Sequence, residues 1–385
     1  MRKKVLPFLK CPETQHPEMK LFAVEIMRNG KLLAESEQQE LLDDDDVISG
    51  LLINEKHQLV YPIAESIAIL LSKSDVDTFH HIPLLENLKK KCPPSLHTLI
   101  ESTILHLQKV SPTFDGNWNR DEMRYYDDEV ETPEKQAKMM QAIKNTPVHR
   151  ILIPRKKHIT DIISSASDLN TLLEIGCGNA STIYRIFNPV TYHYRYIGSD
   201  ISFKRLIVAK KMVPEGDFIQ ASALNLPFAE GCFSAIISFG MLHHLPRPVD
   251  AVNQVIPLIE SNGLFAFHEP VIRPDVKFPG KEIIKKVMAT YEHSEHDGKI
   301  DLDGTISTLT NAGFKTLHQS FQISPVRSIA ETIVKRFSRR VMLNRKVIQF
   351  IEIADNFLLN HTNKRSGKPD GKAVFQVMQK SVLMK

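Results

Sequence analysis

The sequence predicts an α/β protein organised on a doubly wound sheet of seven strands, six parallel and one antiparallel. A small, mostly-β module stands in front of that sheet, and a helical insertion precedes its last strand. Three observations carry this prediction. First, the apolar run Leu172–Ile175 meets the turn Gly176-Cys177-Gly178 and then a helical segment, Ser181–Phe187. That order reads as buried strand, tight turn and helix start. Second, apolar strand-like runs alternate with helical periodicity from 161 to 322, as in a parallel sheet with crossover helices. Third, residues 1–72 carry short β-type runs instead, which suit a small β module.

Composition narrows the class. A chain of 385 residues has room for two or three domains. The 49 basic and 45 acidic residues leave a net charge of +4, too mild to announce nucleic-acid binding. Cys11, Cys92, Cys177 and Cys232 are scattered without C-x-x-C spacing, so a reduced, cytoplasmic setting is expected. No apolar run reaches the roughly 18–20 residues of a membrane span. The basic start Met1-Arg2-Lys3-Lys4 leads into a run broken by Pro7, Lys10 and Pro12, which is not the pattern of a signal peptide.

In chain order, the first unit is expected over 1–72, with β-type runs at Val5–Leu9, Leu21–Ile26, Lys31–Ala34, Gly50–Ile53, Gln58–Ile63 and Ile67–Leu71. Asp43–Asp46 reads as a solvated loop. Residues 73–150 form a helical linker or lid segment. In it, His80, His81 and His97 lack partners at ligand spacing and read as surface or packing residues. Tyr125 and Tyr126 lie in an acidic stretch, Arg120–Asp128, and a helix is expected from Thr132-Pro133, with threonine as cap and proline at the first helical position. The main domain is expected over 151–385. Its strands fall at Leu172–Ile175, Tyr194–Gly198 leading to Asp200, Asp217–Gln220, Ala235–Phe239, Leu264–His268, Lys315–Ile323 and Ala373–Gln379. Helices are expected over Ser202–Met212 and Pro248–Ile259, with a turn at Ser261-Asn262-Gly263. A helical cap over 324–371 has apolar spacing at Ile329, Ile333 and Phe337 and a basic face including Arg327, Lys335 and Arg339. That face reads either as solvated or as a surface for an anionic partner.

Four stretches fall at strand ends, where open α/β sheets bind ligands. Glu174 precedes Gly176 and Gly178; glycine permits close backbone approach and positive φ. No third glycine stands at Thr182 or nearby, as a pyrophosphate cradle would require. A carboxylate at Glu174 repels pyrophosphate and attracts an ammonium group. Asp200, followed by Ile201, is placed to accept from two ribose hydroxyls. The turn at Ser222-Ala223 offers a side-chain acceptor and backbone amides to an adenine edge. Phe239-Gly240-Met241-Leu242-His243-His244-Leu245 follows the fourth strand. A phosphate-free nucleoside bearing an amino acid, S-adenosylmethionine, fits this set. An ordinary strand–helix turn of another α/β protein is the alternative.

Taken together, Leu173-Glu174-Ile175-Gly176-Cys177-Gly178, Asp200, Leu226-Pro227-Phe228 with Phe233, and Leu242-His243-His244-Leu245 resemble class I S-adenosylmethionine-dependent methyltransferases over about residues 150–325. The similarity is strongest to the group that includes quinone-biosynthesis and other small-molecule methyltransferases. It implies a Rossmann-like sheet and S-adenosylmethionine as cofactor. It also implies a cofactor site at Glu174, Gly176, Cys177, Gly178, Asp200, Ile201, Ser222, Ala223 and Phe239. Two departures stand out: Ser222 and Ser234 occupy positions where the family has aspartate, and serine accepts more weakly than a carboxylate.

A second resemblance covers residues 1–72. Leu6-Pro7-Phe8-Leu9-Lys10-Cys11-Pro12, and Gly50-Leu51-Leu52 leading to Tyr61-Pro62-Ile63-Ala64-Glu65-Ser66, resemble the zinc-ribbon-like domain of the tRNA-methyltransferase activator family, which also occurs fused to bacterial methyltransferases. Zinc-binding members place two cysteine pairs around these landmarks. Here Cys11 alone remains, and the other positions fall at about Thr14, Asn54 and His57. Structural zinc takes four soft or imidazole ligands, so a degenerate module without metal is expected, stabilised by packing against the rest of the chain.

Methyl transfer from a sulfonium is an in-line displacement that asks mainly for alignment and exclusion of water. An oxygen nucleophile also needs a base, and histidine suits that work. His244 and His243 are the nearest candidates, followed by His268 and Glu269; the histidines alternatively cap the strand end. His293 and His296 lie in a polar loop, Tyr291–Lys299, that reads as a lid. The expected substrate is a small or medium organic molecule, anionic or lipid-linked. RNA is the second enzymatic reading, and a cofactor-binding protein without turnover is the third. Oxygen, nitrogen and carbon acceptors all remain open here, as does the oligomeric state.

Overall fold

The computed structural model describes residues 1–34, 40–109, 118–128, 130, 132–144, 170–186, 194–270, 300–322 and 373–381. They fall into two compact units. The first takes in Met1–Lys138, Asn170–Tyr184 and the stretch ending at Phe233; the second takes in described residues 139–144 and 185–186 and the stretches from Ser234 onward.

The first unit carries eight strands: β1 (Lys20–Arg28), β2 (Lys31–Leu32), β3 (Asp46–Asn54), β4 (Leu59–Ala64), β5 (Ile67–Ile69), β6 (Thr171–Ile175), β7 (Arg195–Asp200) and β8 (Asp217–Gln220). Their order is β6-β7-β8-β5-β4-β3-β1-β2. β6, β7, β8 and β5 run parallel, with Leu173 opposite Ile197 and Gly198 opposite Phe218. β5, β4, β3, β1 and β2 are antiparallel neighbours.

The N-terminal strands therefore continue the sheet past β8. Ile67 and Ile69 pair with Phe218 and Gln220, and the Leu70 N–H donates to the Gln220 carbonyl at 2.9 Å. Ile67, Ala68 and Ile69 are all buried, which suits a parallel strand covered on both faces. Further along, the Lys10 N–H donates to the Pro227 carbonyl at 2.9 Å and the Ala229 N–H to the Phe8 carbonyl at 2.8 Å. Arg2 donates its backbone N–H and a guanidinium N–H to the buried Asp217 carboxylate, at 2.9 and 3.2 Å.

Six helices fall between these strands in chain order: α1 (Thr78–Lys91), α2 (Pro94–Gln108), α3 (Trp118–Asp128), α4 (Pro133–Lys144), α5 (Ser181–Ile186) and α6 (Phe203–Met212). Leu85 and Leu88 of α1 and Ile100 and Ile104 of α2 share one buried cluster with Leu51, Val60 and Ile69. Each such side chain stabilises the unit by roughly 1.5–3 kcal/mol.

The second unit holds β9 (Phe233–Phe239), a 3₁₀ turn at Leu242–His244, α7 (Pro248–Leu258), β10 (Ile259–Pro270), α8 (Leu302–Asn311), β11 (Phe314–Gln322) and β12 (Ala373–Lys380). Strand order is β9-β10-β12-β11. β12 runs antiparallel to both neighbours, with Phe267 opposite Gln376 and Thr316 opposite Met378.

Three expectations need correction. The described residues hold twelve strands rather than seven, because the N-terminal strands extend the sheet instead of forming a separate one. Val5–Leu9 is not a strand; Lys3–Phe8 forms a 3₁₀ helix, and Pro7 within it has no N–H for a ladder. Ser261-Asn262-Gly263 lies inside β10, where Asn262 takes φ 67°. The cap over 324–371 and the loop Tyr291–Lys299 lie outside the described residues. Among the described residues, no helix is long and apolar enough to cross a membrane.

Candidate active site

β6 delivers Glu174 to a buried position one residue before its end, and the chain then turns through Gly176 (φ 66°) and Gly178 (φ 53°). Ala180 also takes positive φ, 56°, and is fully buried. Its N–H donates to the Cys177 carbonyl at 2.9 Å, closing the turn. Asp200 ends β7 and organises what surrounds it. It accepts the Gly178 N–H at 2.7 Å and the Ser202 N–H at 2.9 Å. Burial pushes its carboxyl pKa up, opposed by the charge of Arg205. Ser202 in turn caps α6 by accepting the Arg205 N–H at 3.2 Å.

Glu174 accepts from the buried Tyr196 hydroxyl at 2.7 Å. Burial and then the Glu174 charge push the Tyr196 phenol well above its ordinary range. The buried Cys177 thiol is likewise pushed up, first by burial and then by Asp200 and Glu174. It therefore stays a neutral thiol and lines the turn as packing. Its sulfur and the Phe218 ring leave no room for a side chain on Gly198, where an added Cβ would meet them at 2.9 and 2.8 Å.

Ser222 is buried and already engaged: it donates to Asn119 Oδ1 at 3.1 Å and accepts the Leu224 N–H at 3.1 Å. Asn119 is held by Asp75 at 2.8 Å. Ala223 lies half-buried beside Ser222. Ile201 packs against the α1–α2 cluster. Helix α3 is tied to the same turns, since Asp127 accepts the Ser202 hydroxyl at 2.5 Å and the Lys204 N–H at 3.0 Å. The Arg205 guanidinium lies 3.9 Å from the centre of the Tyr126 ring. Sequence reasoning missed Tyr196, Asn119 and Asp127. The acidic stretch around Tyr125 and Tyr126 was the one signal pointing to α3.

These residues fit S-adenosylmethionine on their own chemistry. Two buried carboxylates, Glu174 and Asp200, flank a glycine turn; they suit an ammonium and a ribose and repel a phosphate.

In the second unit, Phe239 ends β9, and Gly240 (φ 73°) donates its N–H to the His268 carbonyl at 2.9 Å. Glu269 is fully buried and accepts the Met241 and Leu242 N–H groups, both at 3.0 Å. It also accepts from His243 Nδ1 at 2.7 Å. With Nδ1 turned to Glu269, a neutral His243 ring presents Nε2 as an acceptor. The His244 ring lies beside His243, with centroids 4.1 Å apart and planes tilted by 37°. The geometry thus favours His243, rather than His244, as the carboxylate-oriented histidine.

In the N-terminal region, Cys11 Sγ lies 3.1 Å from the Tyr61 hydroxyl. Asn54 Nδ2 donates to Thr14 Oγ1 at 3.4 Å, and the His57 N–H donates to Asn54 Oδ1 at 3.1 Å. Among the described residues, no group of three or more histidine, cysteine, aspartate or glutamate side chains is placed to hold a metal.

Residues 173–267 match the methyltransferase domain family. Over 109 residues the chain is 30% identical to the fatty-acid O-methyltransferase of Mycolicibacterium smegmatis, covering 27% of this chain and 39% of that protein. Over 144 residues it is 26% identical to the tRNA (carboxymethyluridine(34)-5-O)-methyltransferase of Arabidopsis thaliana, covering 32% and 34%. Among solved structures, phosphoethanolamine N-methyltransferase 2 of Haemonchus contortus in complex with S-adenosyl-L-methionine aligns with a TM-score of 0.41 and 12% identity, over 59% of this chain and 52% of that one. The chain spans less than half the length of the curated relatives it matches. Over residues 173–267 the chain thus resembles methyltransferase domains.

Proposed function

We propose that this protein methylates a small or medium organic acceptor by in-line displacement, at an oxygen or nitrogen whose proton His243 removes. The observation that carries this reading is the 2.7 Å contact between His243 Nδ1 and Glu269. It fixes the ring, and in the neutral ring whose Nδ1 donates, Nε2 is the atom that can take a proton, as a general base requires. Bound S-adenosylmethionine supplies a methyl group already activated on a sulfonium. The chain does the rest. Asp200 receives ribose hydroxyls, Glu174 balances the amino-acid ammonium, and Gly176 and Gly178 let the backbone approach. Ser222 and Ala223 meet the adenine edge, more weakly than an aspartate at 222 would. His243 takes the acceptor's proton on Nε2, and Glu269, against Nδ1, stabilises the imidazolium that results.

For the acceptor, the fatty-acid O-methyltransferase relative supports an apolar, lipid-like molecule. RNA is the second reading, favoured by the tRNA methyltransferase relative. For residues 1–72 we propose a degenerate ribbon in which hydrogen bonds among Thr14, Asn54 and His57 replace metal ligation. The domain limits we adopt are 1–72, 73–150 and 151–385.

The test incubates the full chain with methyl-labelled S-adenosylmethionine, a cell metabolite extract and, separately, total RNA. Label in an organic-soluble product is expected. Label confined to RNA would replace the small-molecule reading with the RNA one. No transfer to either pool would leave a cofactor-binding protein.

A further inference from the structure

The first unit contains a cavity of about 580 Å³ that the proposed chemistry does not use. Its apolar wall is Ala64, Ile69, Leu84, Met123 and Phe203. Glu174, Gly176, Gly178, Asp200 and Ser222 are not among its lining residues.

Two buried polar side chains line the same cavity. His81 is 6% exposed, and its Nδ1 lies 2.7 Å from the Asp77 carbonyl. A carbonyl only accepts, so the proton sits on Nδ1 and Nε2 is a bare acceptor. Burial lowers the His81 pKa, which keeps the ring neutral. Gln220 is 1% exposed and donates Nε2–H to the Ile201 carbonyl at 2.9 Å. That bond fixes the amide orientation and turns Oε1 the other way. Neither His81 Nε2 nor Gln220 Oε1 has a hydrogen-bond partner among the described residues. Leaving such an acceptor unpaired costs about 1–3 kcal/mol each.

The charged lining is largely paired within the protein. Asp77 meets His80 at 2.9 Å and Arg124 at 3.8 Å, while Asp127 accepts the Ser202 hydroxyl and the Lys204 backbone N–H. An occupant therefore needs no net charge. It needs an apolar body and hydrogen-bond donors.

We propose that this cavity is an effector site for a neutral, donor-bearing apolar molecule, such as an aromatic amide, amine or alcohol. Two of its residues also hold the turn after Asp200: Gln220 through Ile201 and Asp127 through Ser202. Resting on the cofactor reading above, occupancy changes affinity for S-adenosylmethionine, and the coupling is reciprocal.

The test uses the full chain with benzamide, which has two amide donors, and methyl benzoate, of similar shape but with acceptors only. Ligand-observed NMR without cofactor reads the site alone. Benzamide is expected to saturate with Kd on the order of 1 mM, and methyl benzoate to bind about tenfold more weakly. His81→Phe and Gln220→Leu should each weaken benzamide by about tenfold, and Leu84→Trp should block it by filling the space. Calorimetry with S-adenosylmethionine at saturating benzamide should show at least a roughly threefold change in Kd.

Equal binding of both probes, benzamide binding that survives Leu84→Trp, or no saturation would overturn the site. S-adenosylmethionine affinity unchanged by benzamide would overturn its effector role. A chain that binds benzamide but no S-adenosylmethionine would instead indict the cofactor reading.

Discussion

Asp200 and Glu269 are both buried carboxylates at strand ends, one in each unit, and they are wired differently. Asp200 receives backbone N–H groups from Gly178 and Ser202. Glu269 receives backbone N–H groups from Met241 and Leu242 and also an imidazole, His243. The first arrangement ties the glycine turn to the residue that caps α6. The second orients the ring of another side chain. The same residue type thus gathers backbone donors in one place and an imidazole as well in the other.

The largest effect should come from the second carboxylate's partner. His243→Ala should lower kcat by about 10²–10⁴-fold while leaving the calorimetric affinity for S-adenosylmethionine unchanged. His244→Ala should cost less than about tenfold. Equal losses from both histidines would dissolve the distinction between an oriented base and its neighbour.

A next, smaller effect tests the wall behind Asp200. Gly198→Ala should destabilise the fold by about 1–3 kcal/mol, because its Cβ meets Phe218 and Cys177 below 3 Å. An unchanged melting temperature would show that β7 and β8 yield there.

The charge beside Asp200 gives a pH signature. Burial is the main cause raising the Asp127 pKa above 3.8, with repulsion from Asp200 adding to it. A raised folded-state pKa means the stabilising contribution is full below pH 3.8 and is lost as pH rises through the folded value. Asp127→Asn keeps an oxygen for Ser202 and Lys204 and removes that loss. Its melting temperature should exceed wild type at pH 7, and the gap should close below pH 3.8. A constant gap across that range would contradict the linkage.

The smallest effect concerns Ala180, which pays for φ 56° that glycine adopts freely. Ala180→Gly should stabilise the turn by up to about 1 kcal/mol, read as a modest rise in melting temperature.

The strand-end frame was legible because it is local. Apolar runs, two glycines and acids at run ends sit within a few residues of one another at Leu172–Gly178 and Tyr196–Asp200. What the sequence hid depends on contacts distant along the chain. β5 pairs with β8 across about 150 residues of sequence. Tyr196 reaches Glu174, and Asn119 reaches Ser222, only after folding. Which histidine meets Glu269 is decided by the 3₁₀ turn Leu242–His244, and the adjacent pair His243-His244 carries no local mark of that choice. Ala180 is an ordinary helix former in sequence, so its positive φ leaves no signal there. At Lys3–Phe8 the apolar run looked extended, yet Pro7 and the chain's return toward Phe228 favour a tight helix.

The most direct measurement is calorimetric titration of the full chain with S-adenosylmethionine, for wild type and for Asp200→Ala. The account predicts one site per chain in wild type and an affinity at least about tenfold weaker in the variant. No heat in wild type, or the same affinity in both proteins, would contradict it.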